Sequence, residues 1–85
     1  MQFEGAVIRE KGIIFAVVVV KKYVVENAAQ ARAAISHFSP AFPGVPIVLM
    51  GQDNSGRATF FGRKDIAQFL SGISLSRIPW RRYTI

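Results

Sequence analysis

The chain has 85 residues, too few for two independent cores, so residues 1–85 are expected to form a single domain. It contains no cysteine, which excludes disulfides, thiolate metal sites, iron–sulfur clusters and thiol redox catalysis, and fits a reducing compartment, with the cytoplasm as the expected location. Eleven Lys and Arg against five Asp and Glu give a formal charge of +6, enough on so small a surface to attract polyanions, although such charge also serves solubility alone.

Phe3–Ile8 reads as a short strand, and the polar cluster Arg9-Glu10-Lys11-Gly12 reads as a hairpin connection. The returning arm, Ile13–Val20, is apolar at both alternating sets of positions, a pattern that a strand tolerates only when both faces are covered. It is also under half of the roughly 20 residues that span a bilayer as a helix. No membrane segment is therefore expected, nor does Met1–Gly5 carry the basic start of a secretory signal. Lys21 and Lys22 mark the exit of this strand toward solvent and interrupt a run that would otherwise favour aggregation.

Asn27 with Gln30 three residues on matches a capping box, so a helix is expected from Ala28 to about Phe38, with Ala31, Ala34, Ile35 and Phe38 on its inner face. Pro40, Pro43, Gly44 and Pro46 then stop the helix and stiffen the following loop. Val45–Gly51 reads as a second apolar strand, Gln52–Gly56 as a turn and Arg57–Phe61 as its return arm. Gly62 leads into an amphipathic helix that buries Ile66, Phe69 and Leu70 and ends at Gly72, and Trp80–Ile85 closes as an edge strand. The order β-β-α-β-β-α-β defines an α+β fold: a single compact domain with a mixed β-sheet and two helices, its hairpins antiparallel and its strand–helix–strand crossover parallel.

Two resemblances follow from these residues. Val45–Leu70, a proline-led strand, a turn with Asp53 and Gly56, a second strand and an amphipathic helix, resembles the C-terminal half of thioredoxin-like proteins. The resemblance implies a scaffold with a cis proline before the strand; the redox activity of that family does not carry over, because the cysteine pair is missing. Gly62–Ile66 together with Ile78–Tyr83 resembles small uncharacterised bacterial proteins of similar length, which implies no particular chemistry.

Catalysis has little to work with: one histidine, two aspartates and three glutamates, scattered along the chain. His37 near a helix C-terminus is explained by its favourable interaction with that end of the helix, and it is the sole base an enzyme reading would have. No metal-ligand spacing and no nucleotide-binding motif occurs, so no cofactor is expected, and Asp53-Asn54-Ser55 reads as an ordinary turn. Two segments point to anions. Arg63 and Lys64 stand at a helix start, where amides and cations converge on a phosphate, but Asp65 already complements that end of the helix. In Arg77, Trp80, Arg81, Arg82 and Tyr83, cations interleave with aromatics as in nucleic-acid surfaces, while strand alternation equally lets the aromatics pack inward. Adjacent Phe60 and Phe61 leave one aromatic available for stacking or a protein contact. The expectation is a small non-enzymatic module that engages a protein partner or a second copy of itself through its basic surface or an open sheet edge; the alternative is a nucleic-acid-binding domain built on the C-terminal segment.

Overall fold

The computed structural model describes residues 1–10 and 12–85. Five strands form, β1 (Gln2–Glu10), β2 (Ile13–Val19), β3 (Ile47–Gln52), β4 (Ala58–Phe61) and β5 (Arg81–Thr84), with helices α1 (Lys22–Val25), α2 (Ala28–Phe38) and α3 (Lys64–Ser71). The strands make one mixed sheet in the order β4-β3-β2-β1-β5. The β2–β3 pair across the helical crossover is parallel, and every other pair is antiparallel. The α+β single-domain architecture and its order of strands match the sequence reading, and α1 is an addition to it. The first hairpin forms, but Arg9 and Glu10 of its predicted connection extend β1 and pair with Ile14 and Ile13; Lys11, also part of that connection, lies outside the described residues.

The apolar run is the middle strand because both of its faces find cover. Phe15, Ala16, Val17 and Val18 are all at most 2% exposed. Ala16 and Val18 face α1 and α2, meeting Val25, Ala31 and Phe38, whereas Phe15 and Val17 face α3, meeting Ile66 and Leu70. Each helical element therefore covers its own side of the sheet, and β2 contributes to both apolar layers. Burying each such Val or Phe side chain contributes about 1.5–3 kcal/mol, so this strand fixes the fold.

Helix α2 starts where its cap predicts. The Asn27 side chain accepts a bond from the Gln30 amide at 3.0 Å, but the reciprocal half of the capping box is absent: the Asn27 N–H donates to the Val24 carbonyl instead. That carbonyl belongs to α1, which the sequence reading took for the exit of a strand; Lys22 opens α1 and its ammonium lies 3.8 Å from Glu26. Pro40 sits in a short 3-10 turn, Ser39–Ala41, that extends the helix end. The segment resembling a thioredoxin-like half folds as strand, turn, antiparallel strand and helix, and its Val45–Pro46 peptide bond is trans. Among the described residues, no helix is long and apolar enough to cross a membrane.

Candidate functional site

The C-terminal strand is set in place by its aromatics. The Trp80 indole Nε1 donates to the Leu75 carbonyl at 3.0 Å and its ring packs against the layer under α3. Tyr83 points to the other face, stacked on Phe3 with ring centroids 5.3 Å apart and edge-on to Phe42 at 5.0 Å. The two rings thus hold β5 to opposite layers, and neither is the free stacking platform that a base-binding surface requires. Phe60 and Phe61 are likewise half-buried, one in each layer, so neither is the expected exposed aromatic.

With the rings turned inward, the arginines and the outer backbone of β5 remain for a ligand. Arg81 and Arg82 are exposed and project to opposite faces, Arg81 on the α2 side with Tyr83 and Arg82 on the α3 side. The Met1 amino group donates to the Ile85 carbonyl and the Ile85 amide donates back to Met1, both at 2.9 Å. In an antiparallel ladder, pairs that exchange both bonds alternate with pairs that exchange none. Phe3↔Tyr83 and Gly5↔Arg81 are therefore bonded pairs, and the N–H and C=O groups of Arg82 and Thr84 face away from β1. Beyond Gly5, among the described residues, no strand pairs with the outer side of β1, and there, on the α2 side, Val7 and Ile14 are 43% and 40% exposed beside Arg9. Sequence reasoning could not find these outward groups or this uncovered stub, because both follow from which strand lies next to which and where β5 ends.

Charge separates the predicted contact residues into two groups. Arg63 follows β4 and Lys64 opens α3, at one edge of the sheet, while Arg81 and Arg82 lie on β5 at the other, with Arg77 beside Ile8 and Glu10 of the neighbouring β1. The edge strands are roughly 19 Å apart, four spacings of about 4.8 Å, so the structure does not bring all these cations together. At the start of α3, Arg63 grips Asp65 through two bonds, of 3.2 and 2.7 Å. The Asp65 carboxyl is held below the usual carboxylate range by that arginine, with backbone amides at the helix start adding to the effect. Of the groups that would receive a phosphate there, Arg63 and the backbone amides already serve Asp65. Arg81 and Arg82, by contrast, take part in neither ion pair found among the described residues. Glu4 stands directly across from Arg82, whereas Gly5 opposite Arg81 offers no side chain.

The remaining candidates have structural explanations. His37 is exposed, with its Nε2 3.3 Å from the Met1 sulfur and its ring edge-on to Phe38. Asp53 Oδ1 accepts from the Ser55 amide, the Ser55 hydroxyl and the Arg57 amide, all within 2.9 Å, and this closes the β3–β4 turn. A cleft of about 230 Å³ beside α3 is lined by Glu10, Ile13, Phe15, Asp65, Ile66 and Phe69. Among the described residues, no group of three or more His, Cys, Asp or Glu is arranged to hold a metal ion. Comparison of the chain with protein-family models, curated proteins and solved structures found no match.

Proposed function

We propose that this protein is a non-enzymatic interaction module that engages a protein partner through the β5 edge of its sheet. The reading rests on one observation: β5 turns the backbone groups of Arg82 and Thr84 outward and carries exposed arginines on both faces, while its aromatics are committed to the core. The absence of cysteine supports a reducing compartment, the cytoplasm, as its place of work. Proline tolerates an edge position whose N–H faces away from the sheet, so Arg82→Pro and Thr84→Pro each remove an outward donor and leave the ladder to β1 intact. The test is affinity capture with the unaltered protein and with these two variants as baits, read by quantitative mass spectrometry. Partners retained by the first and lost from both variants are expected; identical sets of captured proteins would sink the reading.

The alternative, contact with nucleic-acid backbone through Arg77, Arg81 and Arg82, is favoured by the charge of +6. In it, Trp80 and Tyr83 position the strand and do not stack bases. Three phosphate contacts to a single-stranded oligonucleotide give a slope of about −2 for log affinity against log salt. Neutralising Arg81 and Arg82, which leaves the contact of Arg77, reduces that slope to about −0.7 if this alternative holds.

A further inference from the structure

Resting on the reading of β5 as an interaction edge, we propose that its partner is an extended acidic segment that adds to the sheet as a sixth strand, with adjacent carboxylates meeting Arg81 and Arg82. An added strand bonds to the outward groups of Arg82 and Thr84, and its side chains alternate between the same two faces as those of β5. Opposite Arg81 and Arg82 it therefore needs two consecutive acids, one for each face. Opposite Tyr83, whose ring is half-buried, it needs an apolar residue, and opposite Thr84 a small or β-branched one. In the antiparallel sense, the better-bonded arrangement, this order reads Thr-Val-Glu-Glu along the partner.

Charge selects this occupant over a second copy of the chain. Two β5 strands paired antiparallel through their outward groups would set Arg82 against Thr84 of the other copy. The two Arg82 side chains would then lie diagonally on one face with no acid between them, and each chain brings a formal charge of +6, so like charge opposes a second copy. Exposed arginines at an edge also deter such pairing in the absence of a partner. The opposite edge offers no comparable selection, since Ala58–Phe61 carries no charged side chain and Arg63 beyond it is held by Asp65. On the α3 side a partner's acid competes with Glu4 for Arg82, while on the α2 side Arg81 faces it with no acid across the strand. The α2-side acid is accordingly the stronger determinant.

The test uses the whole protein and a blocked synthetic peptide, Thr-Val-Thr-Val-Glu-Glu-Val-Thr, with affinity read by fluorescence anisotropy and amide exchange read residue by residue by NMR. The expected result is binding in which the Arg82 and Thr84 amides become protected from exchange, with affinity falling about threefold to tenfold at low salt when both peptide glutamates are replaced by Gln. Arg82→Pro, checked for its fold by circular dichroism, is expected to lose the peptide; if that variant does not fold, amide protection in the unaltered protein decides alone. Peptide binding without protection of these two amides, or undiminished binding after the peptide threonine opposite Thr84, whose N–H faces β5, is changed to proline, overturns strand addition but leaves an interaction surface of another kind. Self-association that protects the same amides overturns the acidic partner and leaves the edge in use. Failure of the peptide together with salt-dependent binding of a single-stranded oligonucleotide overturns both this inference and the protein-partner reading.

Discussion

Trp80 combines a polar tip and an apolar body in one structural task. Its indole N–H is bonded to Leu75 and its ring lies against the layer beneath α3, so the residue secures the approach to β5. Trp80→Ala is expected to cost about 2–3 kcal/mol, less than a fully buried ring because the side chain is half-exposed. In a domain of this size that is a drop of about 10–20 °C in thermal midpoint, measured by scanning calorimetry; an unchanged midpoint would reassign Trp80 to contact alone. Asp53 is a residue of a different kind, half-exposed and occupied with the turn. Its carboxyl lies below the usual range chiefly because the Ser55 hydroxyl bonds to it, followed by the Arg57 amide. A carboxyl whose pKa is lowered by folding stabilises the fold above the unfolded value, near about 3.9, and that contribution is lost as pH falls through the lower folded value. Thermal midpoints should therefore drop on acidification below about pH 4. Asp53→Asn, which keeps an acceptor but not the titration, should flatten part of that slope; Asp65, shifted in the same direction by Arg63, keeps the remainder.

Among the elements, α1 shows what sequence patterns miss. Four residues are too few for helical periodicity to register, and Lys21-Lys22 reads as a strand's exit toward solvent. The helix exists because β3 makes room for it: a Cβ at Gly51 would lie 2.8 Å from a Val25 methyl and 2.9 Å from the Lys22 Cα. Gly51→Ala must push this backbone away, at an expected cost of about 1–3 kcal/mol, and should speed amide exchange over residues 22–25; unaltered exchange there would show that the contact is dispensable. The other elements were legible because each carried its own punctuation. Asn27 began α2, Gly62 and Gly72 bracketed α3, and alternation with turn residues defined the hairpins. The unbroken apolar run of β2 even announced cover on both faces, since no amphipathic strand is apolar at every position. Half of the capping box failed for a reason outside its own motif, because α1 supplied Val24 as a competing acceptor.

At the scale of the whole molecule, the residues of the proposed site could be named in advance but their grouping could not. Sequence placed Arg63, Lys64, Arg77, Arg81 and Arg82 on solvent-facing segments, yet strand order alone decides that the first two lie at the opposite edge from the last two. Strand order depends on long-range pairing, which a single sequence encodes only through the sum of its packing. The same holds for the inward turn of Trp80 and Tyr83, where alternation left two faces open and the layers on either side filled both. Pairing between residues 2–5 and 81–84 spans nearly the full chain, whereas the β1–β2 and β3–β4 hairpins are local. Loop-closure entropy makes such a distant contact late to form. Tyr83→Ala is thus expected to accelerate unfolding while leaving the refolding rate almost unchanged, a φ-value near zero in stopped-flow chevrons; a value near one would mean that the ends of the ladder nucleate the fold. A late arrival of β5 leaves the flank of β1, with Phe3 still bare, as a sticky template in the nascent chain, so refolding yield should decline with concentration until that last zip shuts.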